Sequence, residues 1–369
     1  MVDKLHIKPI KEWLDNGLNK PLIIAGPCSA ETEEQVMETA RQIKANTNSS
    51  VLRSGIWKPR TRPGSFEGVG EIGLRWLKSA SKETGLKTIV EVAYPQHVEA
   101  ALKHEVDMVW IGARTAANPF SVQEIANAIE GANIPVLIKN PVNPDLDLWI
   151  GAIERIYKSG IDQIAAIHRG FYPFEKTKLR NIPKWELVIE LKRQIPDLPL
   201  ICDPSHISGS VEYIQEIAQK ALDLNLDGLM IETHRDPKNA KSDAKQQITP
   251  LELSAVLNSL NFRQSSVDDS EFLNKLEQFR QQIDSIDYQL LELLSQRMEI
   301  VGEIGKYKCE NNVTILQLRR WENIIKTRSQ TGIKLDLNPE FILKLLELVH
   351  KESIQKQAEV MDNNDDCKD

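Results

Sequence analysis

A chain of 369 residues, 27% charged and 41% hydrophobic, has the composition of an ordinary soluble protein, and its length points to two or three domains. No apolar run approaches the roughly 18 residues that span a bilayer, and residues 1–19 lack the apolar stretch of a secretory leader. A net charge of −7 argues against nonspecific nucleic-acid binding, so any anion site is a local basic cluster.

Over residues 1–260 short apolar, β-branched runs alternate with longer helical stretches. The predicted strands are 22–25, 51–52, 88–92, 108–111, 136–138, 163–167, 198–201 and 228–231, spaced by about one strand plus one covering helix. Continuously apolar strands alternating with helices mean a parallel sheet buried on both faces, and eight such repeats match a (β/α)8 TIM barrel. A doubly wound open sheet is the alternative, but no Gly-x-Gly-x-x-Gly follows the first strand. Just past the runs lie Cys28, Arg53, Glu91, Arg114, Lys139, His168 with Arg169, Asp203 with His206, and Glu232. In a barrel these ends converge on one mouth, where active sites form.

The pattern then changes. Residues 261–270 read as a polar linker. From Leu276 apolar residues recur at steps of three and four (Phe279, Ile283, Ile286, Leu290, Leu293, then Ile300 and Ile304), which predicts one long amphipathic helix with a near-heptad seam. Asn311 and Asn312 interrupt it. A second helix is expected over 317–329, ended by Thr331-Gly332, and Asn338-Pro339 starts a third. The domains are thus 1–260, a linker 261–270, a helical domain 271–360 and an acidic tail 361–369, expected to be disordered. Four widely spaced cysteines (Cys28, Cys202, Cys309, Cys367) make neither a disulfide framework nor a paired zinc motif, which suits a reducing cytoplasm.

Cys28, His206, Glu232 and Asp243 are candidate metal ligands. One thiol, one imidazole and two carboxylates form a mixed divalent site that does not single out one metal. Taken singly, each is more often structural; gathered at one barrel mouth, they make ligation the expectation. Arg53, Lys58, Arg60 and Arg62 crowd the segment after the second strand, and Arg114, Lys139 and Arg169 end the fourth, fifth and sixth. Cations at buried strand ends are costly unless an anion neutralises them, so a highly anionic substrate is implied.

The segments AGPCS, RSGIWKPRT, IGAR, VLIKN, HRG, DPSH and IETH followed by SDAKQQ, in this order over about residues 5–260, resemble the 3-deoxy-7-phosphoheptulonate (DAHP) synthases. They fall in the branch related to 3-deoxy-octulosonate 8-phosphate synthase. The resemblance implies that Cys28, His206, Glu232 and Asp243 hold a divalent metal (Mn, Fe, Co or Zn). It implies that Arg53, Lys58, Arg114, Lys139 and Arg169 surround phosphoenolpyruvate, with Lys58 catalytic, and that Arg60 and Thr61 hold erythrose 4-phosphate. A relative using arabinose 5-phosphate lacks Lys-Pro-Arg-Thr, which stands here at 58–61. The barrel is expected to begin almost at once, without an extra N-terminal regulatory domain before it.

In the helical part, Arg297 interrupts the seam and Lys308 lies eleven residues on, at nearly the same azimuth and roughly 16 Å along the axis. Arg280 lies about 80–100° off that face and is expected from a partner helix. Ser353 and Gln357 share a face. On periodicity alone a dimerisation module comes first. However, FRQQIDSIDYQLLELLSQRMEIVGEIGKYK, RRWE and ESIQKQ resemble the all-helical chorismate mutases over about 85 residues. That resemblance implies that Arg280, Arg297, Lys308, Arg320, Ser353 and Gln357 bind chorismate, with Lys308 and Gln357 donating to its ether oxygen. It also implies a homodimer. The chain departs from the pattern at Trp321, where an acidic residue is common, and at Gln317, where an Asp is. The rival readings are a catalytically weak sensor in the helical domain, arabinose 5-phosphate as the barrel's sugar, and a Schiff-base lyase or isomerase. Prephenate is the expected feedback ligand; no membrane or nucleic-acid partner is expected.

Overall fold

The computed structural model describes residues 5–14, 18, 20–58, 64–174, 177–263 and 268–363. The chain divides into two compact units, Met1–Ser265 and Ser266–Asp369.

In the first unit eight parallel strands close into a ring: β1 (Leu22–Gly26), β2 (Val51–Ser54), β3 (Lys87–Val92), β4 (Met108–Ile111), β5 (Val136–Lys139), β6 (Ile164–His168), β7 (Leu200–Cys202) and β8 (Gly228–Glu232). Pairing of β1 with β8, from Leu22↔Gly228 to Gly26↔Glu232, shuts it. Alternation along each strand explains the unbroken apolar runs. Leu22 and Ile24 point into the barrel interior with Val51, Ile89, Met108, Leu137, Ile167, Ile201 and Met230, while Ile23 and Ala25 face the helix layer. Ile10, Trp13 and Leu18 join the interior cluster. Helices between the strands supply the outer cover. Glu33–Asn46 is capped by the Thr32 side chain, which accepts from Gln35 N, and Leu146–Lys158 buries Trp149, Ile150, Ile153 and Ile156. The closed barrel is the architecture expected from the sequence.

Strand ends run further than the apolar runs alone indicate. Arg53, Lys139, His168 and Glu232 belong to the strands themselves; for Arg53, Glu232 and Lys139 an opposite charge at the mouth makes a charged terminal residue tolerable there.

The second unit holds three helices, Ser270–Glu310, Leu318–Lys334 and Pro339–Asp362. The first begins inside the expected linker because Asp269 caps it, accepting from Glu271 N and Phe272 N. Gly332 does not end the second helix, which continues to Lys334. It is a packing residue: a Cβ there would fall 2.0 Å from Ile342 Cδ1. The third helix carries Met361 and Asp362, so the expected disordered tail cannot start at 361; residues 364–369 lie outside the described set. Cys28 and Cys202 are free and buried, but Cys309 is disulfide-bonded, where the spacing of the cysteines predicted no disulfide framework. Spacing alone gave no sign of it. Along the first helix Phe279, Ile283, Ile286, Leu290, Leu293, Ile300 and Ile304 are all solvent-exposed. Among the described residues no helix is long and apolar enough to cross a membrane.

Candidate active sites

At the barrel mouth Cys28 sits in the turn after β1. Its N–H donates to Gln247 Oε1 at 2.9 Å, and Ser29 Oγ lies 2.5 Å from Ser242 Oγ. These bonds tie the turn to the segment after β8, which carries Asp243. Cys28 Sγ lies 3.4 Å from Asp243 Oδ2, and the donor atoms of Cys28, Glu232 and Asp243 all lie within 4.8 Å of one another. His206 is the fourth expected ligand. It stands at the edge of this cluster, with Nε2 3.7 Å from Glu232 Oε1. Asp243 holds a left-handed backbone (φ 46°), uncommon for a residue with a side chain. Its carboxylate is fixed by Arg180 Nη1 at 3.2 Å, and Arg180 also donates to Gln246 Oε1 at 2.7 Å.

The electrostatics suit a cation. Burial, then the Glu232 and Asp243 carboxylates, push the Cys28 thiol up to about 12, while Lys58 opposes them. A thiol in that state becomes a ligand when a metal ion displaces its proton. Burial works against the Asp243 carboxylate, but Arg180, His206 and Lys58 outweigh it and bring it down to about 2. Glu232 is fully buried, accepts from Gln246 Nε2 at 2.6 Å, and keeps its other oxygen, Oε1, without a hydrogen bond. Arg53 Nη2 lies 3.1 Å from that oxygen, an ion pair without hydrogen-bond alignment. A buried carboxylate oxygen left this way, beside a thiol and a second carboxylate, fits a divalent ion.

The cationic side is built around Trp110. Arg53 and Lys139 lie 5.0 and 5.7 Å over its ring, and its Nε1 donates to Glu91 Oε2 at 3.2 Å. Arg53 is 1% exposed, yet its Nε and Nη1 have no hydrogen-bond partner. Unsatisfied guanidinium donors at such depth cost several kcal/mol unless an anion meets them, roughly 1–3 kcal/mol for each lost bond. Lys58, Arg114, Lys139 and Arg169 line a cavity of about 540 Å³ above. Burial, then repulsion from Arg180 and Arg114, lowers Arg169 to about 10, and Asn181 Oδ1 accepts from its Nη1 at 2.7 Å. Lys58 Nζ donates to Cys28 O at 2.8 Å and to its Sγ at 3.0 Å, so it stands between the two clusters. Arg60 and Thr61, the expected sugar-phosphate residues, lie outside the described residues.

Sequence reasoning gave no role to Asp203, Glu91, Arg180 or Gln246. Asp203 had a signal: three residues before His206 and directly before Pro204, it reads as a helix cap. Arg180 lies in the segment after β6, where no periodicity marks it.

In the helical unit Arg297 Nη1 donates to Ser353 Oγ at 2.6 Å, and Gln357 Nε2 donates to Ser353 O at 3.1 Å. Gly305 allows this approach, since a Cβ there would sit 3.2 Å from Gln357 Cα. Lys308 Nζ donates to Ile315 O. Burial lowers the pKa of both Arg297 and Lys308. Arg297, Ser353 and Gln357 thus meet. Arg280 is exposed on the first helix, 3.9 Å from Glu277, and Arg320 is exposed on the second.

A closed parallel barrel with buried cations and a thiol–imidazole–carboxylate cluster at one mouth is built for enzymatic work on anions. The chain belongs to the DAHP synthetase I family, whose pattern residues 8–267 match. Residues 279–358 match the chorismate mutase type II family. A phospho-2-dehydro-3-deoxyheptonate aldolase of Thermotoga maritima is 33% identical over 226 residues, 61% of this chain and 64% of that protein. The chain thus spans a little under two-thirds of that relative's length. A 2-dehydro-3-deoxyphosphooctonate aldolase of Hydrogenovibrio crunogenus is 28% identical, covering 62% of this chain and 86% of that one. The crystal structure of the Thermotoga maritima DAHP synthase superposes with a TM-score of 0.59 at 32% identity, over 64% of this chain and 67% of that one.

Proposed function

We propose that the barrel condenses phosphoenolpyruvate with erythrose 4-phosphate, and that the helical unit rearranges chorismate to prephenate. The observation that carries the first activity is a set of buried polar atoms without hydrogen bonds at one mouth, on both sides of the Arg53–Glu232 ion pair. Arg53 Nε and Nη1 await an anion, and Glu232 Oε1, beside Cys28 and Asp243, awaits a cation. Arg53, Lys139, Arg169 and Arg114 bind the carboxylate and phosphate of phosphoenolpyruvate and orient its enol carbon. That carbon bonds to the sugar's aldehyde carbon, water adds to the resulting cation, and phosphate leaves. Burial disfavours charge on Lys58, but Cys28 in its thiolate form, with Glu232 and Glu91, outweighs it and keeps the ammonium protonated, placed to give a proton to the aldehyde oxygen. A divalent ion held by Cys28, His206, Glu232 and Asp243 would supply Lewis acidity at that oxygen. Arg60 and Thr61 hold the sugar's phosphate in this reading.

The second activity needs no base, nucleophile or cofactor. Cations clamp the folded dicarboxylate while Lys308 and Gln357 donate to the breaking ether. The exposed apolar seam of the first helix and the outlying Arg280 support a homodimer in which a second copy covers the seam and delivers Arg280. A feedback role for prephenate, acting through the short linker, completes the proposal; cleaving within 261–270 would then leave the freed barrel insensitive to it.

The test is phosphate release from phosphoenolpyruvate with erythrose 4-phosphate. Chelation should abolish it and added divalent ion restore it, with chorismate turnover unaffected. Full activity in metal-stripped protein overturns the metal site, and equal use of arabinose 5-phosphate overturns the sugar assignment.

A further inference from the structure

We propose that His350 is a specificity-determining residue of the helical site, hydrogen-bonding through Nε2 to the ring hydroxyl of the bound dicarboxylate while Trp321 holds its ring flat. The proposal rests on the reading of this unit as a chorismate site.

His350, Ser353 and Gln357 are spaced i, i+3, i+7 on the third helix and so share one face. On that face Ser353 takes the hydrogen bond from Arg297. The imidazole of His350 stacks on the indole of Trp321 with ring centroids 3.9 Å apart and planes 7° from parallel. A stack fixes the ring plane and leaves only the edge nitrogens to make hydrogen bonds. Nε2 is buried and has no hydrogen-bond partner, and Gln357 Oε1 on the same face has none either. Two unmet polar atoms beside two cations mark a place where a polar ligand completes the bonding.

The charge pattern selects which part of the ligand His350 meets. Arg297 is matched to a carboxylate and Lys308 to the ether oxygen. Burial, then these two cations, holds the His350 pKa below its ordinary value, so the ring is neutral at neutral pH and offers a lone pair. A neutral acceptor suits a hydroxyl and adds no negative charge to compete with the carboxylates. At position 321 the related pattern often has an acidic acceptor; the indole of Trp321 can only donate.

The experiment measures binding of chorismate, and of an analogue whose ring hydroxyl is replaced by hydrogen, to the full-length chain by calorimetry. His350→Phe keeps the ring stack and removes the nitrogen; His350→Gln keeps a hydrogen-bonding group. The unaltered chain should prefer chorismate by about tenfold, as one hydrogen bond of this kind allows. His350→Phe should bind both ligands alike, and His350→Gln should regain part of the preference. Undiminished discrimination in His350→Phe overturns the proposal. So does an equal loss of affinity for both ligands, which is the mark of a structural role. Prephenate formation by the unaltered chain is scored separately. Discrimination without turnover sinks the mutase reading and leaves the His350 contact standing, whereas no chorismate binding at all sinks both.

Discussion

Nδ1 of His206 lies 3.0 Å from Oδ1 and 2.8 Å from Oδ2 of Asp203, so the imidazole is anchored on one side and turns its Nε2 toward Glu232. Asp203 is fully buried and also accepts from Lys139 Nζ at 2.8 Å. Burial alone would raise its carboxyl, but His206, Lys139 and Arg53 hold it well below the usual carboxylate range. A charged carboxylate behind a histidine fixes the tautomer and makes the free nitrogen a better ligand. Asp203→Asn keeps the shape and removes the charge. Metal affinity should fall about 10- to 100-fold, read by competition with a chelating dye. Unchanged affinity would mean that His206 does not ligate.

Arg60 belongs to the proposed sugar-phosphate contact. Arg60→Ala should raise KM for erythrose 4-phosphate roughly ten- to a hundredfold, the effect of losing one charge-assisted bond, and leave that for phosphoenolpyruvate nearly unchanged. Steady-state kinetics with each substrate varied in turn separates the two. An equal rise in both constants would reassign the residue.

A methyl group at position 332 would lie 2.0 Å from Ile342 Cδ1 and 2.9 Å from its Cγ1, so the Ile342 side chain has to shift to admit it. Gly332→Ala should destabilise the helical unit by about 1–3 kcal/mol, the usual cost of overpacking. Adding Ile342→Val, which removes the nearest carbon, should recover part of it. Thermal melts followed by helical circular dichroism show the shift, and a melt indistinguishable from that of the unaltered chain would contradict the packing.

Ile286 and Leu290 are 55% and 52% exposed in the single chain. Covered by a second copy, they become core. Ile286→Asp should then shift sedimentation from dimer to monomer and reduce chorismate turnover, with a loss that deepens on dilution. A monomeric unaltered chain with full turnover would rule out the shared site.

How far the sequence reached depended on periodicity. The barrel strands could be placed because they are apolar on both faces, and Cys28, Glu232 and Asp243 because they stand at or just beyond strand ends. Asp203 and Arg180 could not be assigned, since their roles depend on three-dimensional neighbours: His206 and Lys139 for one, Asp243 and Gln246 for the other. Gly332 misled because glycine both ends helices and allows close packing, and only the position of Ile342 distinguishes the two. The stack of Trp321 on His350 joins residues of different helices, so no local pattern could reveal it.

Trp110 lies wholly buried under two cations, with the Arg53 guanidinium 5.0 Å and the Lys139 ammonium 5.7 Å from the centre of its ring. An indole so placed is a built-in optical gauge. Its excited state responds to the field of the charges above it, and an arriving phosphate or carboxylate changes that field without touching the ring. Occupancy of the barrel mouth should thus be readable from intrinsic emission, in the unlabelled chain and without any product being formed. The chain has seven tryptophans, so the signal is the difference between the unaltered protein and Trp110→Phe.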